Sequence, residues 1–92
     1  MEYKSLFKPP LTNSLKAGRV TLQPGESVGE HVTEKREEAI IILKGTASLT
    51  VEGNATEVSQ GQTFYIGPEK KHDVKNNGSQ ELEYVYVVSL LE

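Results

Sequence analysis

The stretch Gly25–Gly45 reads G-E-S-V-G-E-H-V-T-E-K-R-E-E-A-I-I-I-L-K-G, and the rest of the chain is organised around it. His31 and Thr33 stand two residues apart, so on an extended strand their side chains share a face. Glu34, Lys35 and Arg36 are too polar and clustered for a buried strand and are expected to form a hairpin turn. Glu37 and Glu38 open the returning strand. Because neighbouring strand residues alternate, one of the two must face the same way as His31. The run that follows, Ala39–Leu43, is rich in β-branched residues and apolar on both faces, which requires cover on both. The other histidine of the chain, His72, lies in G-P-E-K-K-H-D-V-K-N, also just after a Gly/Pro bend.

Outside this stretch the pattern is of short strands. Leu15–Leu22 ends in an alternation of Val20 and Leu22 with Arg19 and Thr21, followed by a Gln23–Glu26 turn. Thr46–Glu52 alternates cleanly, with Ala47, Leu49 and Val51 on one side. Gly53-Asn54 suits a tight hairpin. Strands are expected at Ala55–Val58, Thr63–Ile66, His72–Asn76 and Leu82–Leu90, separated by Gly, Pro and Asn turns. No segment sustains a helical apolar period. Many short strands at regular spacing indicate an all-β sandwich or barrel. Residues 1–14 read as an N-terminal arm in which Pro9-Pro10 forbids regular helix, while Leu6, Phe7 and Leu11 are apolar enough to dock on a neighbour. Residues 15–92 read as the single β-domain.

Composition narrows the function classes. At 92 residues the chain is one domain. A net charge of −3, without a basic patch beyond Lys70, Lys71 and Lys75, speaks against nucleic acid. No cysteine is present, so there is no disulfide framework and no thiolate metal site. No apolar run approaches the ~20 residues of a membrane span, and the N-terminus lacks a signal-peptide core. The default expectation is a cytoplasmic protein with no membrane partner.

The spacing of these residues resembles that of the cupin superfamily. That family's first motif places Gly, five residues, His-x-His, three or four residues, Glu, six residues and Gly; here Gly25, His31, Glu38 and Gly45 fit, with Thr33 where the second histidine would stand. In the second motif Gly61, His72 and Asn76 fit, with Gly67 and Glu69 at the usual Pro and Gly positions. The resemblance implies a small antiparallel β-barrel, a double-stranded jelly roll, with a metal or ligand held at one end. Carried over by position, it puts His31, Glu38 and His72 at metal-ligand positions and leaves one imidazole absent at Thr33. Two histidines and a carboxylate with open positions opposite suit Fe(II), Mn, Co, Ni or Zn. The ordinary alternatives are a hydrogen-bonded strand histidine and a solvated Glu37/Glu38 pair beside Lys35 and Arg36. Glu38 is favoured over Glu37 because it shares a face with Ile40 and Ile42, where a carboxylate is costly unless paired or metal-bound. Thr33, Tyr84 and Tyr86 are candidate pocket residues; Tyr84, Tyr86, Tyr65 and Phe64 are otherwise core or pocket wall. Asn76 is expected to order the backbone at a strand end.

Functionally the resemblance implies a divalent metal and a small polar ligand such as a sugar or a carboxylate, with isomerase and dioxygenase activities among similar proteins. The alternative is a non-catalytic ligand-binding module with a degenerate or empty metal site. A homodimer is expected, because Ala39, Ile41 and Leu43 lie opposite Glu38 and a single small barrel has little besides the N-terminal arm to cover them.

Overall fold

The computed structural model describes residues 1–90. Nine strands make up its regular structure: β1 (Glu2–Phe7), β2 (Leu15–Leu22), β3 (His31–Val32), β4 (Arg36–Lys44), β5 (Thr46–Val51), β6 (Asn54–Ser59), β7 (Thr63–Ile66), β8 (Lys71–Lys75) and β9 (Leu82–Leu90). They form two antiparallel sheets, one in the order β1-β2-β9-β4-β7 and the other β3-β8-β5-β6. This is a double-stranded jelly roll, as the resemblance implies, and it falls within the all-β sandwich or barrel class that the strand spacing predicts.

Period-two alternation explains which residues meet between the sheets. From the larger sheet come Val20, Leu22, Ile40, Ile42, Ile66, Leu82 and Tyr84; from the smaller come Ala47, Leu49, Val58 and Val74. These side chains form one apolar core, and burying each large one contributes on the order of 1.5–3 kcal/mol. Gly45 joins β4 to β5 at φ +81°, and a Cβ there would stand 2.5 Å from the Glu81 carbonyl oxygen, so both conformation and space demand glycine. Asn76, fully buried at the end of β8, donates from Nδ2 to the carbonyls of Leu22 (2.9 Å) and Gln80 (2.8 Å). It also accepts from the Gly78 amide (3.0 Å), so it ties three backbone segments together.

Several expectations are corrected. Glu34 and Lys35 do form a turn, with Lys35 at φ 54°, but it is not a hairpin. β3 pairs with β8 and β4 pairs with β7 and β9, so this turn carries the chain from one sheet to the other. The β5–β6 hairpin closes one residue earlier than Gly53-Asn54: Glu52 (φ 48°) and Gly53 (φ 82°) occupy the turn, and Asn54 already pairs with Val51. Part of the N-terminal arm is itself a strand, since Glu2–Phe7 pairs along β2 at the sheet edge. Two strands, β2 and β9, separate that position from β4, so the arm does not cover the outer face of Ala39, Ile41 and Leu43. In the single chain Ala39 and Leu43 are exposed and Ile41 is half-buried.

Candidate metal centre and ligand cavity

Strand pairing brings the two histidines together. His31 on β3 lies directly opposite His72 on β8, and their ring centroids are 4.1 Å apart at 62°. Glu38 reaches them from the other sheet: its carboxylate Oε1 lies 3.5 Å from His72 Nε2. One donor atom from each of His31, Glu38 and His72 falls within 4.8 Å of the other two. Glu37, one residue earlier, faces outward and accepts a hydrogen bond from the Tyr65 hydroxyl at 2.9 Å.

Both imidazoles are oriented by their own backbone. His31 Nδ1 lies 2.9 Å from the Gly29 carbonyl and His72 Nδ1 2.8 Å from that of Lys70, so each ring donates Nδ1–H and turns Nε2 into the cavity. Metal-ligating histidines are held by the same kind of outer hydrogen bond. The Gly29 segment is fixed in turn: its amide donates to Asp73 Oδ1 at 3.0 Å, and the Val28 amide donates to the Val74 carbonyl at 3.0 Å.

The arrangement leaves one polar atom unsatisfied. His72 is 1% exposed, and its Nε2 has no hydrogen-bond partner among the described residues. The Glu38 oxygen at 3.5 Å is within ion-pair range but does not make a hydrogen bond, and a neutral ring with Nδ1–H points a lone pair at that carboxylate. Two lone-pair donors facing each other in a buried place call for a proton or a cation between them. Burial pushes the Glu38 carboxyl above the ordinary glutamate range, opposed by the neighbouring imidazoles of His72 and His31. These residues fit a divalent cation by donor type, tautomer and the orphaned nitrogen.

Beside the trio lies a cavity of about 310 Å³. Its apolar wall comes from Val20, Val28, Val74, Val88 and Tyr84, with Tyr86 further along β9. Burial raises both tyrosine hydroxyls well above their usual range, so they are neutral hydrogen-bonding groups at any physiological pH. Thr33 lines the cavity just past the end of β3. Phe64 packs against the core, but Tyr65 is 63% exposed and belongs to neither core nor pocket. In β7 the inward positions are Phe64 and Ile66, which turns Tyr65 outward.

Three polar side chains that line the cavity escaped the sequence reading: Tyr3, Lys16 and Arg36. Two of them carry a readable signal. Lys16 continues the inward series Gly18, Val20, Leu22 by one step, and Arg36 does the same for Glu38, Ile40 and Ile42. Strand parity alone places Lys16 inside, within the expected Leu15–Leu22 segment, and places Arg36 inside once it is taken out of the turn and into the strand. Tyr3 carries no such signal, because its position depends on pairing β1 with β2.

A two-sheet jelly roll with two histidines and a glutamate at one end of its interior defines a class of small β-barrel built around a donor cluster. The chain belongs to the cupin family: the family model described as Cupin domain matches residues 18–88. It is 35% identical over 71 residues to a mannose-1-phosphate guanylyltransferase of Salmonella montevideo, covering 77% of this chain and 15% of that protein. It is 32% identical over 73 residues to the oxalate-binding protein of Thermotoga maritima, covering 79% of this chain and 60% of that protein. The chain thus spans less than two thirds of the length of these relatives. Among solved structures, that of a predicted oxalate decarboxylase from Thermotoga maritima superposes with a TM-score of 0.90 at 27% identity, over 97% of this chain and 79% of that one.

Proposed function

We propose that His31, Glu38 and His72 hold a divalent cation, drawn from Fe, Mn, Co, Ni and Zn, and that the adjoining cavity takes a small polar ligand such as a sugar or a carboxylate. The observation that carries this reading is the buried, unpartnered His72 Nε2 facing the Glu38 carboxylate. A bound cation would supply Lewis-acid polarisation of a ligand oxygen. The chain's own part is to fix both imidazole tautomers through Gly29 and Lys70, to place Glu38 between the sheets, and to keep water off one side with the valine wall. The relatives named for oxalate and for a mannose phosphate agree with a small oxygen-rich ligand without choosing one. Elemental analysis of protein purified without an affinity tag, followed by calorimetric titration of Mn²⁺ into chelator-stripped protein, tests the reading; one ion per chain supports it, and no binding overturns it.

A second reading, ligand binding without turnover, is favoured by a specific observation. Once the three donors are engaged, no further carboxylate or imidazole among the described residues lines the cavity to move a proton. Isomerase or dioxygenase chemistry would therefore depend on the tyrosines, Lys16 or the bound cation alone. We also infer a cytoplasmic homodimer assembled through the exposed face of β4 and β7. The cysteine-free composition and the exposed Leu43 and Tyr65 support these two points.

A further inference from the structure

The end of the cavity formed by β1 and β2 carries a hydroxyl pair whose construction is unusually specific. Tyr3 on β1 and Tyr86 on β9 lie with ring centroids 6.1 Å apart and planes within 15°, and their hydroxyl oxygens are 2.6 Å apart. Both rings lie over Gly18 of β2. A Cβ at that position would stand 2.7 Å from Tyr86 Oη and 2.8 Å from Tyr3 Cε2, so the missing side chain is what seats the pair. Two hydroxyls bring two protons. One is shared between the oxygens, and the other is left to donate, since neither hydroxyl has another partner among the described residues.

The same cavity is lined by Lys16 and Arg36, neither of which has an ion-pair partner among the described residues. With a cation on the trio, the positive charges around the cavity outnumber the Glu38 carboxylate, the one acidic side chain among the described residues that line it, although the chain as a whole carries −3. A neutral sugar would gain nothing from this surplus, whereas a carboxylate would be drawn by it and would accept the free tyrosine proton in a charge-assisted hydrogen bond.

We propose that Tyr3 and Tyr86, seated by Gly18, are specificity-determining residues that grip a small carboxylate anion, with Lys16 and Arg36 supplying the charge that selects it over a neutral ligand. The proposal deepens the metal-and-ligand reading and rests on it. It makes β1 part of the ligand site rather than an appendage to the barrel.

The test uses the full chain loaded with Mn²⁺, titrated calorimetrically with oxalate, with the neutral diamide oxamide and with D-glucose. Oxalate is expected to bind at least about tenfold more tightly than either neutral probe, one decade being ~1.4 kcal/mol. Tyr3→Phe and Tyr86→Phe keep the stacked rings and remove one hydroxyl each. Each single variant still leaves one hydroxyl proton and is expected to weaken oxalate little, whereas the double variant Tyr3→Phe/Tyr86→Phe leaves none and is expected to weaken it about tenfold, the range for hydrogen bonds to charged groups, with Mn²⁺ affinity unchanged. Lys16→Gln should weaken oxalate severalfold and flatten its salt dependence. Wild-type protein that takes no Mn²⁺ removes the metal reading and this proposal with it. Mn²⁺ binding with equal affinity for oxalate and oxamide overturns the anion assignment alone. A double tyrosine variant that binds oxalate like wild type reduces the pair to packing and overturns its role.

Discussion

His31 and His72 are direct cross-strand partners on β3 and β8, and each donates its Nδ1–H to the carbonyl two residues before it. The relationship presents two Nε2 atoms to one cavity without any side chain outside the two strands having to orient the rings. It also separates the histidines in quality. His72 is central, with β3 on one side and β5 on the other, whereas His31 is exposed on a strand of two residues.

The weaker of the two positions depends on Asp73. Its Oδ1 accepts the Gly29 amide, and Gly29 supplies the carbonyl that orients His31. Asp73→Ala is expected to lower Mn²⁺ affinity about tenfold, at the low end of what outer hydrogen bonds contribute to metal sites. Asp73→Asn, which keeps the acceptor oxygen, should restore most of it. Calorimetry on stripped protein reads both, and equal loss in the two variants would point to charge rather than to the hydrogen bond.

Glu38 should set stability against pH in the metal-free protein. Burial raises its carboxyl above the ordinary range. A group whose folded-state pKa is raised contributes stability that is fully present below its unfolded value and is lost as pH rises through the folded value. Metal-free wild type is therefore expected to lose stability from the ordinary glutamate range upward until Glu38 is ionised, and Glu38→Gln should not show this loss. At neutral pH Glu38→Gln should melt higher than metal-free wild type while failing to gain stability from added Mn²⁺, which wild type gains by mass action. Parallel melting curves over pH for the two proteins check the sign.

The exposed outer face of β4 yields a prediction about assembly. Leu43 is 40% exposed and Tyr65 63% exposed on the side away from the core. If a second copy covers this face, Ala39→Arg places a charge in the middle of it and should convert dimer to monomer at micromolar concentration, with little change in secondary structure. Light scattering reads the mass. A wild-type monomer would remove the dimer, and Lys44 together with Glu37 would then be keeping an apolar face soluble.

Much of this architecture was legible because the β-period is short. Val20 and Leu22, or Leu49 and Ala47, can be assigned inward from a few neighbours, and Gly, Pro and Asn mark the breaks. The two histidines and Glu38 could be brought together only through the spacing shared with the cupin pattern, since no local rule says that β3 and β8 are partners. What stayed hidden was set by pairing across the chain. The Glu34–Lys35 turn has the composition of a hairpin, and only the sheet order shows that it passes between sheets. Tyr3 lies in an arm that its apolar residues mark for docking without saying where, and its register with Val20 brings it to the cavity. Arg36 has the charge and neighbours of a turn residue, but its distance of two from Glu38 turns it inward.

Thr33 is the position at which this chain departs from the family's His-x-His pattern, and it gives the sharpest test of the proposed metal centre. Thr33 lines the same cavity as His31, Glu38 and His72, and its carbonyl is held by the Glu69 amide at 3.2 Å, so the backbone there is fixed although β3 has ended. A threonine hydroxyl is a poor ligand for these cations beside an imidazole. Thr33→His should supply a fourth donor, exchanging a coordinated water for an anchored side chain. Mn²⁺ or Ni²⁺ is then expected to bind about tenfold more tightly or better, one decade being ~1.4 kcal/mol. The gain should shrink at acid pH, because an imidazole must lose its proton to coordinate. If Thr33 is only a β-branched residue beside a structural histidine, the substitution changes thermal stability slightly and metal affinity not at all. Titrations of Ni²⁺ into stripped wild type and Thr33→His, at pH 7.5 and again about two units lower, separate the two cases. Equal affinities at both pH values would mean that the fourth side of the site lies elsewhere than Thr33, and binding by neither protein would leave the cavity to its ligand alone.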